Sequence, residues 1–464
     1  MNFLQAGIQK VINWSMWSPA SKDVFEETNI VRQQAMLDLI KYYEGDQRKP
    51  MKLTGLGKDY NVITNHAKTI VDRSVSMLVG AGVEFDLPGE GETPQEILIN
   101  TVWDANKKAV LLHDLVMFGS IYGTPAIKIV PNGRTALNGT ITYRLVALNP
   151  FNLSIFTNPN DIEDVQVYVF RWMDGDTNWR EITRKSDNGM WEIVTEKADR
   201  SSAGKWVATT PPVLWAYPFA PIVHGKNLPN AGNIYGYSDI ESIIDLQDKY
   251  NEAQTNINKI LALQAWAQKY VTGGKFPHKK DDKGWEYIDA GPDKALEISG
   301  DNAKVGILQP SGDLSSSRQF ANDLRRDLFD TSATVDAEML DKVGTLTNFG
   351  LRVLFKNELA KNSTKQLLYG DLLLNVNNRL LQLSGYSGEQ ADPGIVIWGD
   401  ALPVNQMESI QVLTQELNMG LVSKETAAEK QGYDWEAEEE RIAADKSSQT
   451  NLGAMLLNNF NQGV

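Results

Sequence analysis

Residues 275–285, KFPHKKDDKGW, set Lys275, His278, Lys279, Lys280 and Lys283 beside Asp281 and Asp282. Such an array can contact an acidic partner or a phosphate backbone, because ammonium groups displace the counterions of a polyanion. A solvated turn has the same composition. Elsewhere the residue patterns of covalent chemistry are missing. GLGK at 55–58 and GGK at 273–275 lack the upstream glycine of a phosphate-cradling G-x-x-x-x-G-K-[ST] loop. No G-x-G-x-x-G follows a strand pattern, and no G-x-S-x-G elbow occurs. The four histidines, His66, His113, His224 and His278, stand far apart, outside any H-E-x-x-H or H-x-E pattern. Among fifty-nine acidic residues a chance carboxylate pair is certain, so none is singled out as a glycosidase dyad. The reading is a chain with no catalytic residue, no cofactor and no metal site.

The elements that must carry such residues begin with SDIESIIDLQDKYNEAQTNINKILALQAWAQKYVTGG, residues 238–274. Ser238 and Glu241 fit a capping box. Ile240, Ile243, Ile244, Tyr250, Ala253, Ile257, Ile260 and Leu261 recur at three- and four-residue steps. With no Gly or Pro before Gly273, the pattern predicts one helix of about 50 Å. Its opposite face carries Asp245, Asp248, Glu252, Asn256 and Asn258, so one side packs and the other is wet. After Gly273-Gly274, about forty residues of Gly, Pro and Asp punctuation contain short strand-like pieces. Helical spacing resumes with Phe320, Leu324 and Leu328. Helix, small β insert, helix implies a two-helix stalk with the insert at its tip.

Before the stalk, residues 1 to about 115 read as helices, and a period of two from about Thr124 predicts an antiparallel meander of four to six strands. Trp172, Trp179, Trp191 and Trp206 fall in or beside it, and cross-strand packing is the reading for them. After it, Phe349–Leu383 reads as a second long helix, whose middle, KNELAKNSTKQ, is polar all round and so bridges solvent or lies between subunits. GIVIWGDALP reads as a lone strand, and short helices follow, one capped by Ser423.

Composition bounds the rest. The chain has 464 residues, 42% hydrophobic and 22% charged, which predicts two to four domains. No apolar run reaches the eighteen or so residues of a membrane span, and MNFLQAGIQKVINWSMWSPA lacks the features of a signal peptide. The absence of cysteine excludes disulfides and thiolate chemistry, and fits a reducing cytoplasm. A formal net charge of −14 repels a phosphate backbone, so contact with DNA is expected to be weak or local.

Several stretches resemble the portal proteins of tailed bacteriophages, of the siphophage type. They are NVITNHAKTIVDRSVSMLVGAGVEF (61–85), FGSIYGTPAIKI (118–129), VALNPFNLSIFTNPND (146–161), GYSDIESIIDLQDKYNEAQTNI (236–257) and GLVSKETAAEKQG (420–432). The most specific is G-x-S-D-I followed by L-Q-D-x-x-N. The resemblance implies an α+β portal fold in a ring of twelve, with an α/β wing, long stem helices, a small β-containing clip and a helical C-terminal crown. The parts would be a wing at 1–235, a stem helix at 236–271, the clip at 272–314 and a second stem helix at 315–335. A tunnel loop at 336–348, a long wing helix and strand at 349–402 and a crown at 403–464 would follow.

The implied function is a dodecameric DNA channel at the capsid vertex, used for genome packaging and ejection, assembled in the host cytoplasm. The implied partners are further copies of the chain, double-stranded DNA, the large terminase subunit, major capsid and scaffolding proteins, and a head-completion or adaptor protein, with no membrane. Stem residues expected to line the lumen are Asp245, Asp248, Glu252, Lys259 and Lys269. The tunnel loop would present Asp336, Glu338, Asp341, Lys342, Gly344, Thr345 and Asn348 to DNA. Clip contacts would fall on Lys275, His278, Lys279, Lys280, Asp281, Asp282 and Trp285. The alternatives are another ring-forming connector component of the virion and a cytosolic carboxylate-dependent hydrolase.

Overall fold

A computed structural model describes residues 30–443 except 52–58, 90, 92, 137–138, 140, 187, 199–204, 266–267, 274–277, 281–285, 289–299, 301, 309–313, 337–347, 403–405, 434 and 436–437. Two compact units divide the chain: Met1–Leu340 with Phe355–Ala401, and Asp341–Leu354 with Leu402–Val464.

In the first unit, helices α1 (Ile30–Glu44), α2 (His66–Val79), α3 (Pro94–Ala105) and α4 (Lys108–Tyr122) contribute to the main core. Local chemistry sets their ends. Asn65 caps α2 by accepting from the Lys68 amide at 3.0 Å. Thr93 caps α3, with Pro94 in its first turn, and α4 stops on Gly123 at φ +88°. Helix α2 turns Ile70, Val71, Val75 and Leu78 inward at three-and-four spacing.

The expected meander is divided between two sheets. Strands β2 (Ala126–Thr135) and β3 (Ile141–Ala147) join β10 (Ile222–His224) in the order β10-β2-β3. β4 (Leu153–Asn158), β5 (Asp161–Asp174), β6 (Thr177–Lys185), β7 (Trp191–Ala198) and β8 (Val207–Ala208) form a separate sheet in that order, and β9 (Val213–Trp215) also pairs with β7. The break falls at Asn149-Pro150, where Asn149 accepts from the Phe151 amide at 3.0 Å and starts a single 3-10 turn. Trp172 and Trp179 face each other across β5 and β6, stacked at 6.0 Å and 8°. The Arg180 guanidinium lies 4.3 Å from the Trp206 ring. Cross-strand packing is therefore what Trp172 and Trp179 do, Trp191 pairs across to Trp215 of β9, and Trp206, just before β8, takes a guanidinium instead.

Three predicted elements differ from the structure. The rod is helix α5, Ile244–Ala265, entered through a 3-10 turn at Glu241–Ile243. Ser238 does not build a capping box on Glu241; its hydroxyl donates to the Ser120 carbonyl at 3.0 Å. Past the helix, Gln268–Thr272 is strand β11, paired antiparallel with β14 (Lys304–Leu308). Tyr270, Val271 and Thr272 are aromatic or β-branched and take the extended form once a partner strand is offered. The stalk survives this correction. α5 packs on α6, Leu314–Thr331, and Gln268 faces Leu308 across the strand pair, holding the ends of the insert together. Within the insert β12 (His278–Lys280) pairs with β13 (Glu286–Ile288).

The second long helix is also divided, into α7 (Asn348–Leu354) and α8 (Lys356–Leu383). The lone strand has a partner: β15 (Ile395–Trp398) pairs antiparallel with β1 (Val83–Asp86). In the second unit, α9 (Gln406–Asn418) precedes α10 (Lys424–Lys430), which Ser423 caps as predicted, accepting from the Thr426 amide at 3.1 Å.

Two outcomes follow from this packing. A Cβ on Gly236 would lie 2.4 Å from the Gly123 carbonyl oxygen and 2.8 Å from the Lys226 Cβ. Gly236→Ala should therefore cost about 1–3 kcal/mol of stability, read from the denaturant midpoint. His224, 3.0 Å from the Tyr168 hydroxyl, is held down at about 4 by burial and by Arg379 and Lys226. The unfolded chain then binds a proton that the folded chain refuses. Stability should be full above the ordinary 6.5 and fall as pH drops toward 4, with a shallower slope in His224→Gln.

Candidate functional site

The G-x-S-D-I motif lies at the root of the stalk. Ser238 donates to the Ser120 carbonyl and accepts from the Ile240 amide at 3.2 Å, while the Asp239 amide donates to the same Ser120 carbonyl at 2.9 Å. This fixes the Asp239 carboxylate against α8. Lys365 Nζ meets its Oδ2 at 2.5 Å and Lys361 Nζ its Oδ1 at 3.1 Å. Asp239 is 2% exposed and Lys365 0%. Lys365 also donates to Ser74 Oγ on α2 at 2.7 Å and to Ser120 Oγ on α4 at 3.1 Å. An ammonium has three donors, and all three are used.

Burial opposes the Asp239 charge, but the two ammonium groups outweigh it and hold the carboxyl well below its ordinary range. Burial lowers Lys365 to about 8 against the pull of Asp239. Four elements thus converge on one buried cluster. It fastens them together, and the Lys365 ammonium keeps no donor for a further group. It also corrects the expectation that KNELAKNSTKQ has no packed face within the chain. That stretch buries Glu358, Asn362 and Lys365 inside its own unit.

The second motif, L-Q-D-x-x-N, is likewise consumed within the chain. Gln247, Asn251 and Thr255 are each 0% exposed, so the packed side of α5 is largely polar. They serve the irregular backbone at 60–65 and the first amide of α2 as a neighbouring strand would. Gln247 accepts from the His66 amide at 3.2 Å and donates to the Thr64 carbonyl at 2.8 Å. Asn251 accepts from the Thr64 amide at 3.1 Å and donates to Gln47 at 2.7 Å. Thr255 accepts from the Val62 amide at 3.0 Å, and Asn258 donates to the Tyr60 carbonyl at 2.9 Å. Polar residues at i, i+4 and i+8 were the available signal, and counting only apolar residues missed it.

Of the stem residues singled out from the sequence, Asp245, Glu252 and Lys259 are exposed on α5. Asp248 is half-buried and accepts from the Tyr42 hydroxyl at 2.6 Å, so its charge is engaged inside the chain. Lys269 belongs to β11, beyond the helix.

The start of the 336–348 segment is braced. Asp336, 8% exposed, pairs with Arg325 of α6 at 2.7 Å. The Val335 amide donates to Glu358 at 2.8 Å, and the Val335 carbonyl accepts from Arg73 of α2. Asn348 is the first residue of α7, while Glu338, Asp341, Lys342, Gly344 and Thr345 lie outside the described residues. In the insert, His278, Lys279 and Lys280 form β12; Lys275, Asp281, Asp282 and Trp285 lie outside the described residues. Among the described residues no acidic or histidine cluster could hold a metal ion, and no helix is long and apolar enough to cross a membrane.

The model of the family described as phage portal protein, SPP1 Gp6-like, matches residues 26–451. No curated protein matches in sequence. A chain in the solved virion of a native gene transfer agent particle is 12% identical, with 91% of this chain and 98% of that chain covered and a TM-score of 0.45. A chain in the neck of an empty gene transfer agent particle is 13% identical over the same shares, with a TM-score of 0.47.

The buried ion pair makes a direct prediction. Lys365→Met leaves the Asp239 charge with Lys361 alone and should cost about 3–5 kcal/mol in denaturant unfolding. Adding Asp239→Asn should recover part of that loss, because the charge is removed together with its partner.

Proposed function

The chain belongs to the SPP1 Gp6-like family of phage portal proteins, and we propose that twelve copies form a ring that conducts double-stranded DNA into and out of a capsid. The observation that supports this most directly is the stalk. α5 and α6 pack together, carry a strand pair and a small insert at one end, and sit in a chain matched by the portal model from 26 to 451. In a ring, rods standing around an axis bury their contact faces on neighbours and turn the remaining side toward a channel. Asp245, Glu252 and Lys259 are our candidates for that side, with Lys269 near the mouth. Twelve chains at −14 each carry about −168, a field that discourages phosphate adhesion and lets a duplex slide.

In this reading residues 1–235 with 349–402 are the wing, 272–314 the clip and 403–464 the crown. Segment 336–348 is the channel loop, with Asp336 as its anchor and the residues that follow as the part that meets DNA. The clip, through Lys275, Lys279, Lys280 and their neighbours, docks the large terminase subunit and later a head-completion protein. The wing and crown meet capsid and scaffolding proteins at one vertex.

Three measurements test the proposal. Native mass should lie near twelve, or in isolation thirteen, times 51.7 kDa; a species near 51.7 kDa counts against a ring. Deleting Val343–Thr345 should leave assembly intact and impair DNA packaging, and normal packaging would remove the loop role. Reversing Lys279 and Lys280 to Glu should weaken terminase docking, and unchanged docking would remove the clip assignment.

A further inference from the structure

Lys361, with a side chain 12% exposed, holds two ends of the stalk at once. Its ammonium lies 3.1 Å from Asp239, just before the turn that opens α5, and donates to the Ser332 carbonyl at 3.0 Å, just after α6. Lys365, closer at 2.5 Å and fully buried, is the main partner of Asp239. Lys361 is the second ammonium there, and it alone of the two also bonds Ser332.

That carbonyl sits at a helix end under strain. Ala333 adopts φ +51°, a left-handed conformation that usually falls to glycine. The Thr334 amide donates to the Phe329 carbonyl at 3.0 Å and the Ala333 amide to the Asp330 carbonyl at 3.1 Å, which is the Schellman pattern of helix termination. A cation on the carbonyl between them suits the negative end of the helix dipole. Two residues further on, Glu358, one turn before Lys361 on α8, takes the Val335 amide, and Arg73 takes the Val335 carbonyl. Burial raises Glu358, while the Val335 amide, Arg73 and Lys361 pull it back.

We infer that Lys361 is a positioning residue that clasps the roots of both stalk helices to α8 and so fixes the point from which segment 337–347 departs. The clasp stands on the contacts above. Its consequence for DNA movement rests on the channel-loop reading proposed for that segment.

Hydrogen exchange on the full-length protein separates the two. In Lys361→Met the amides of Ser332, Ala333, Thr334 and Val335 should exchange about tenfold faster, while α2 and α4 keep their protection. Lys361→Arg, which retains a cation with several donors, should restore the original rates. Unchanged exchange at those amides would overturn the clasp, as would loss of protection throughout α2 and α4, which would make Lys361 a general core support. Arg325→Gln loosens the same base without touching Asp239, and should speed exchange at Val335; no change there would also count against a braced base. With the clasp established by exchange, DNA packaging should fall in Lys361→Met at unchanged ring mass. Faster exchange with normal packaging would leave the clasp standing and overturn the channel-loop reading.

Discussion

A carboxylate and an ammonium that have both left water must stay together, and Asp239 and Lys365 do so at 2.5 Å. Separating them would strand a charge at low dielectric, at a cost far above that of an ordinary contact. The elements that bring them together are therefore constrained as a group. Ser238 and the Asp239 amide dock on the Ser120 carbonyl, Ser74 and Ser120 complete the ammonium, and α8 must present Lys365 at that depth. The entry of the stalk into the body of the protein is built on this requirement.

The same rule governs the next stretch of the rod. The segment 60–65, outside helix and strand, meets α5 with amides and carbonyls that no strand pairs. Gln247, Asn251, Thr255 and Asn258 take up those groups along the helix. Hydrogen bonds of this kind are directional. They fix the helix in register and rotation in a way that an apolar stripe, free to slide, does not. For a rod proposed to stand in a ring, defined rotation decides which side chains turn toward the axis.

Anchoring and the proposed function therefore fall on different residues. The two motifs that carried the family resemblance, G-x-S-D-I and L-Q-D-x-x-N, are spent on holding the stalk in place. The residues proposed to meet DNA or a partner are exposed ones such as Asp245, Glu252 and Lys259, or belong to the insert and to segment 336–348. A channel of the kind proposed needs weak contacts on a rigid frame, and the buried network would serve as that frame. Asp239, Asp248 and Asp336 show the division: each is acidic, each has a charged or hydroxyl partner, and none is displayed to solvent as an open charge.

The sequence by itself determined the α+β class, the helical character of the stretch before Thr124, the change to strands after it, the Ser423 cap and the helix–insert–helix order, because these follow from local periodicity and capping. It also carried the family, through motifs whose roles it could not explain. Tertiary structure alone decided the rest. Gln268–Thr272 has no local reason to leave the helix until Lys304–Leu308 offers hydrogen bonds across thirty-odd intervening residues. KNELAKNSTKQ looks wet because its residues are polar, yet Lys365 is buried because Asp239, distant in sequence, waits for it. A polar side chain is buried only when partners satisfy it, and partners brought by remote segments cannot be read from spacing.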